Sequence, residues 1–153
     1  MRIVEVPGGG TLRLEHLVLD LNGTLTDRGE LIEGVAERLR RLGERLELHL
    51  VTADTFGTGR SLADRLHLSL STIGRGDEKA AFVGRLGPAS TVAIGNGNND
   101  EAMLRLVALG IAVLGPEGTA GRALLAADVV CRSIVEALEL LLDERALVAT
   151  LRP

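Results

Sequence analysis

The chain has 153 residues, 46% of them hydrophobic but only 1% aromatic, with a formal net charge of -4. That length suffices for one compact domain with an aliphatic core, while the scarcity of rings and the lack of a basic run argue against stacking on bases or binding a polyphosphate backbone. Cys131 is the sole cysteine, so an intrachain disulfide is excluded, and the short apolar runs fit neither a bilayer span nor a secretory leader; a cytoplasmic protein is expected.

Residues 1–15 read as an N-terminal β-hairpin, with Arg2–Val6 and Thr11–Glu15 flanking Pro7-Gly8-Gly9-Gly10. The aliphatic run Leu17-Val18-Leu19 is a buried strand that delivers Asp20, followed by Leu21-Asn22-Gly23-Thr24-Leu25-Thr26 and a turn at Asp27-Arg28-Gly29. Val35, Leu39 and Leu42 have helical spacing in Gly34–Leu42, which Gly43 is expected to end. Leu46–Val51 is a second strand, ending in Thr52-Ala53-Asp54, where Asp54 or Thr55 can cap the next helix and Phe56-Gly57 form a loop. Ser61–Leu66 is helical and Leu68–Ile73 a strand. Gly74-Arg75-Gly76-Asp77 turns into a helix carrying Lys79, Ala80, Val83 and Leu86.

Thr91–Ile94 is the next strand, opening into Gly95-Asn96-Gly97-Asn98-Asn99-Asp100 and a helix with Met103, Leu104 and Val107 inward. Strand Leu109–Leu114, helix Thr119–Ala126, strand Asp128–Cys131 and helix Ile134–Leu142 follow, with 143–153 read as a short tail. Strand and helix alternate throughout 16–142. The expected fold class is therefore α/β, a Rossmann-like doubly wound parallel sheet, in a single domain spanning 1–153 without a linker or internal repeat.

In such sheets the ligand site lies at the carboxyl ends of the strands. Asp20, Thr52 and the Asn96–Asp100 loop all fall there. An aspartate so placed can attack phosphorus, and a hydroxyl can hold a phosphoryl oxygen; equally, either residue type can simply cap a turn or helix. Two scarcities add weight to a site. Lys79 is the only lysine in a chain that otherwise uses arginine, and a compact ammonium does what a planar guanidinium cannot. The four asparagines, Asn22, Asn96, Asn98 and Asn99, all lie in the loops after two of these strands. His16, His49 and His67 share no ligand spacing and read as structural or surface residues. Cys131 reads as a small buried hydrophobe.

The order Asp20-Leu21-Asn22-Gly23-Thr24-Leu25-Thr26, Thr52-Ala53-Asp54, Lys79 and Gly95 through Asp100 resembles the four motifs of the haloacid dehalogenase-like (HAD) hydrolase superfamily. It is most similar to the phosphorylation domain of P-type ATPases, whose motifs read D-K-T-G-T-L-T, T-G-D, Lys and G-D-G-x-N-D. Gly110-Ile111-Ala112-Val113 and Ala126-Ala127-Asp128-Val129-Val130 extend the resemblance, which covers Leu17 to Leu142. The intervals after Thr26 and between Thr52 and Lys79 leave no room for a nucleotide-binding insert or a cap domain, so the chain resembles a capless soluble phosphatase.

That resemblance implies an Mg²⁺-dependent phosphatase in which Asp20 is phosphorylated. It implies catalytic roles for Asp20, Asn22, Thr52 and Lys79, phosphate contacts from Gly23, Thr24, Thr52, Ala53, Lys79 and Asn99, and Mg²⁺ ligation by Asp20, the Asn22 backbone carbonyl, Asn96 and Asp100, the last serving either as ligand or to hold Lys79. Two departures stand out. Asn22 replaces the usual acid/base aspartate, and Asn96 replaces a metal-binding aspartate, so slow turnover and weak metal binding are expected. A catalytically weak domain that binds a phosphoanion or a partner is the alternative, and a capless sugar-phosphate phosphatase working as an oligomer is a third reading. Expected partners are a small phosphorylated substrate and, because an open site invites covering, a second copy of the chain; nucleic acid and membrane are not expected.

Overall fold

The chain begins with β1 (Arg2–Val6) and β2 (Gly10–Leu14), an antiparallel hairpin in register from Arg2 with Leu14 to Val6 with Gly10. There follow β3 (His16–Leu19), a small antiparallel ribbon of β4 (Thr26–Asp27) and β5 (Glu30–Leu31), and α1 (Val35–Gly43). Next come β6 (Glu47–Thr52), α2 (Gly59–Leu66), β7 (Ser69–Thr72), α3 (Gly76–Leu86) and β8 (Thr91–Gly95). The chain closes with α4 (Glu101–Leu106), β9 (Leu109–Val113), α5 (Gly121–Ala126), β10 (Val129–Cys131), α6 (Ile134–Leu142) and α7 (Glu144–Leu151). This computed structural model describes residues 1–53, 57–73 and 75–153; Asp54, Thr55, Phe56 and Gly74, named above as cap, loop and turn residues, lie outside the described residues.

Six strands form one parallel sheet in the order β10-β9-β8-β3-β6-β7. From β3 the chain builds outward through β6 and β7, then crosses back to build β8, β9 and β10 on the other side. The α/β doubly wound sheet and the N-terminal hairpin are therefore as the sequence pattern leads one to expect. The reversal of winding falls between β3 and β8, and a crevice opens beyond the carboxyl ends of strands at such a switch point. Asp20 directly follows β3.

The two faces of the sheet are packed differently. Leu17, Leu19, Leu48, Leu50, Val92, Ile94, Leu109, Ile111 and Val113 point to one side, where α1, α2, α6, α7 and the hairpin cover them. The intervening residues Val18, Val51, Ala93 and Ala112 meet Val83 of α3, Met103 and Leu104 of α4 and Ala123 of α5. Alternation along each strand produces this division. Small residues on the second face let α3 and α4 approach closely: a Cβ at Gly110 would collide with the Leu104 carbonyl oxygen.

Two local expectations are corrected. Residues 143–153 are not a plain tail, because Glu144–Leu151 is helical. Asp143 caps it, its side chain accepting from the amides of Arg145 (3.0 Å) and Ala146 (3.1 Å), and Leu147 is fully buried in the core that includes Val4 and Val6 of β1. Gly43 is the last residue of α1 rather than its stop; Glu44 forms the cap.

Because Leu147 has no solvent exposure, Leu147→Ala should cost about 2–5 kcal/mol, read as a shifted midpoint in urea unfolding at unchanged slope. A fraying tail would leave the midpoint where it is.

Candidate active site

After β3 the chain wraps around one carbonyl. Leu21 O accepts from the amides of Thr24 (3.1 Å), Leu25 (2.9 Å) and Thr26 (3.2 Å), while buried Leu21 and Leu25 anchor the turn from below. Gly23 takes φ 74° there, in the left-handed region that glycine enters at no steric cost. A Cβ at this position would also stand 2.6 Å from Asn96 Nδ2. The loop after β8 is built in a similar way: a Cβ on Gly95 would lie 2.5 Å from the Asp100 carboxylate, so glycine lets that carboxylate fold back under its own loop. Asp100 Oδ2 accepts from the amides of Asn96 (3.0 Å) and Gly97 (2.9 Å).

Lys79 lies in the first turn of α3 and has no solvent exposure. Its Nζ donates to Asp20 Oδ1 and to Asp100 Oδ1, both at 2.7 Å. Burial alone would drive the Lys79 proton off, but Asp20 and Asp100 outweigh it and its pKa rises. The Asp20 carboxyl is pushed up to about 6, first by burial and then by the facing Asp100 charge, with Lys79 opposing both. Thr24 Oγ completes the cluster, with Asp20 Oδ2 at 3.2 Å and Asn96 Oδ1 at 3.1 Å competing for its one hydroxyl proton. Asn96 Nδ2 donates to Gly118 O at 2.8 Å, which fixes its oxygen towards Thr24 and Asp20.

Thus Asp20, Thr24, Lys79, Asn96 and Asp100 form one bonded cluster. Thr52 is buried at the end of β6, where Leu50 pairs with Leu19, so it stands at the same edge of the sheet as Asp20. Ala53 follows it and is exposed, and Asn99 is half-buried in the helical turn between Gly97 and α4. Arg28 and Arg75 are exposed and paired with neighbouring Asp27 and Asp77. A groove of about 820 Å³ between α1, β6 and α2 includes none of the cluster.

The donors facing Asp20 suit a hard divalent cation, which takes oxygen ligands. Asp20 Oδ2 and Asn96 Oδ1 share Thr24 as a neighbour, and Asn22 Oδ1 is closed off from solvent with no hydrogen-bond partner among the described residues. An orphaned acceptor costs about 1–3 kcal/mol unless something satisfies it, and a cation or its water would. Asp100, by contrast, has its oxygens engaged by Lys79 and two amides. The set fits Mg²⁺ in kind, with a single carboxylate supplying the charge.

The fold is that of the HAD-like hydrolases. A 3-deoxy-D-manno-octulosonate 8-phosphate phosphatase from Moraxella catarrhalis, solved with magnesium, phosphate and KDO, superposes with TM-score 0.72 at 20% identity, covering 90% of this chain and 92% of that one. The cobalt-bound deoxy-D-mannose-octulosonate 8-phosphate phosphatase (YrbI) from Haemophilus influenzae gives 0.72 at 15% identity, over 87% and 90%. A Thermoplasma acidophilum protein gives 0.70 at 13% identity, over 89% and 99%. No protein-family model matches the sequence. Two Methanocaldococcus jannaschii sequences do: uncharacterized protein MJ0073 is 51% identical over 61 residues, 40% of this chain and 66% of its own length, and uncharacterized protein MJ0072 is 51% identical over 39 residues, 26% and 89%. The chain thus spans just under two thirds of MJ0073 and most of MJ0072, and it belongs to one family with MJ0072.

Removing the ammonium would leave two buried carboxylates facing each other. Lys79→Met should lower stability by about 3 kcal/mol or more, and Lys79→Met combined with Asp100→Asn should recover part of it. Equal unfolding midpoints for wild type and Lys79→Met would show that the charges do not depend on one another.

Proposed function

We propose that the chain is an Mg²⁺-dependent phosphatase that forms an aspartyl phosphate on Asp20 and turns over slowly. The observation that carries this reading is the buried Lys79 ammonium held between Asp20 and Asp100 at 2.7 Å from each. A strongly perturbed ionisable cluster at a switch-point crevice is where chemistry is to be sought. The phosphatases named above, with magnesium or cobalt bound in their own crystals, support the substrate class of a small phosphorylated metabolite.

On this reading the Asp20 carboxylate attacks phosphorus, an Asp20 O–P bond forms and the ester P–O bond breaks. Lys79, Thr52 and amides of the Asn22–Thr24 loop hold the charge on the transferring oxygens. Asp20, Asn96 and the Asn22 carbonyl would hold Mg²⁺, which supplies charge neutralisation between carboxylate and phosphate. The leaving alkoxide must take its proton from water, because Asn22 has no acidic proton to give. Water then attacks the aspartyl phosphate, giving up a proton to solvent, and orthophosphate leaves with Asp20 regenerated. General acid–base help is worth about 10²- to 10⁴-fold, and this is the share of rate that Asn22 forgoes. One domain over 1–153, open at the strand ends, is the proposed unit, acting in the cytoplasm and covered by a second copy; neither nucleic acid nor membrane has a part in it.

A second reading, a domain that binds a phosphoanion or partner without turnover, is favoured by Asn22 and Asn96 alone. Acetyl phosphate separates the two. The phosphatase reading expects one phosphoryl mass added per chain, abolished in Asp20→Ala. A chain that never gains that mass would overturn it.

Two substitutions probe the departures. Asn22→Asp should speed hydrolysis of alkyl phosphates by about 10²-fold and that of p-nitrophenyl phosphate much less, since the latter leaves without a proton. Asn96→Asp should tighten Mg²⁺ binding in calorimetric titration; unchanged affinity would remove Asn96 from the metal site.

A further inference from the structure

The opposite end of the sheet carries a second cluster that the proposed chemistry does not use. His16 opens β3, and Glu47 and His49 lie on the adjacent strand β6. The parallel register pairs His16 with Glu47 and Val18 with His49, so the three side chains share one face. Thirty residues of intervening chain separate His16 from Glu47, so no sequence spacing shows the grouping.

His49 Nε2 lies 3.2 Å from His16 Nδ1, His16 Nδ1 lies 3.4 Å from Glu47 Oε2, and His49 Nε2 lies 4.0 Å from the same oxygen. The point equidistant from three atoms at those separations is about 2.1 Å from each, the length of a zinc–imidazole or zinc–carboxylate bond. We propose that His16, His49 and Glu47 form a site for a borderline-soft divalent cation of the zinc type, which staples β3 to β6 at the end of the sheet remote from Asp20.

Several features favour this occupant. The donor set is two imidazoles and one carboxylate, a combination that suits zinc, cobalt or nickel better than Mg²⁺. The imidazole side chains are only 14% and 10% exposed, and the register of the central strand holds their backbones in place, so little order remains to be imposed on binding. Phe82 of α3 packs edge-on against His49 at 5.7 Å between centroids, giving the site an apolar wall. A cleft of about 410 Å³ reaches His16 and Glu47 from outside and leaves room for water as a further ligand; Glu15 also lines it, as do Arg45 and the Met1 amino terminus, which donates to the Arg45 carbonyl. The four-residue step from His16 to Asp20 amounts to about 13 Å of strand, so the two sites are separate and this inference stands whether or not the phosphatase reading holds.

The competing arrangement is a plain hydrogen bond, in which one imidazole N–H points at the other ring. Calorimetric titration with Zn²⁺, run in millimolar Mg²⁺ to occupy any hard-cation site, discriminates them. The expected result is one Zn²⁺ per chain, a raised Tm, and at least a tenfold loss of affinity in both His16→Gln and His49→Gln, with folding of each variant checked by circular dichroism. Co²⁺ added to the wild-type chain provides a readout that needs no variant: strong visible absorption bands of a four-coordinate nitrogen–oxygen site, bleached by Zn²⁺. No Zn²⁺ uptake in Mg²⁺, uptake unchanged in folded His49→Gln, or only the weak bands of six-coordinate cobalt would each overturn the assignment.

Discussion

An ammonium group with no access to water is expensive to place, and Lys79 is placed there between two carboxylates. Taking such ions out of water costs several kcal/mol apiece after relaxation, and the attraction between them repays this only if their geometry and remaining hydrogen bonds are good. Here the geometry is good: both contacts are 2.7 Å, and Asp100 spends its second oxygen on two backbone amides. An apolar trio of similar volume would fold as well or better. The cluster is therefore better understood as something the fold supports than as something that supports the fold, and the surrounding architecture is what keeps it dry and in register.

That architecture converges on Asp20 from three directions. The central strand β3 brings Asp20 to the switch point, where the neighbouring β6 and β8 end beside it. The amide of Asp20 is tied to Ile94 O at 3.0 Å, which sets the first loop against the loop after β8. The start of α3 rests on that second loop: a Cβ on Gly76 would stand 3.0 Å from Asn99 O. This contact puts Lys79, three residues further on, beneath both carboxylates. Small residues on the α3 and α4 face of the sheet are what allow the helices to come this close. The asymmetry between a Leu/Ile face and an Ala/Gly/Val face is thus a requirement of the cluster, beyond being a matter of core composition.

What was legible in the sequence is what local chemistry determines. Short aliphatic runs mark six parallel strands, and the solitary lysine marks itself by contrast with sixteen arginines. The bonded meeting of Lys79 with Asp20 and Asp100 follows once the strands are ordered. Helix α7 was hidden because its inward face is short, Leu147 with Val148 and Leu151, and its cap Asp143 looks like the end of the preceding helix. The ribbon of β4 and β5 shows in the sequence only as its turn, since two-residue strands have no periodicity to detect. The triangle of His16, Glu47 and His49 could not be seen at all, because it exists only in the register between two strands, a non-local quantity that no spacing rule encodes.

The two asparagines acquire a common meaning when charge is counted around Lys79. Carboxylates at positions 22 and 96 would add two negative charges to the loops that follow β3 and β8, where the chain has only Asp20 and Asp100 in contact with Lys79. Fewer negative charges weaken the pull on a divalent cation and equally weaken the repulsion of a phosphate dianion. On the proposed reading, such a site would rely more on Lys79 and on backbone amides, and less on a metal, to bring an anion up to Asp20 than a four-carboxylate site would. What it surrenders is the proton for the leaving group, a loss that bears on the breaking of the ester bond and leaves the binding of the phosphoryl group untouched. On the proposed reading, that missing proton slows formation of the aspartyl phosphate from an alkyl ester, while a phosphoryl donor whose leaving group needs no proton escapes the penalty.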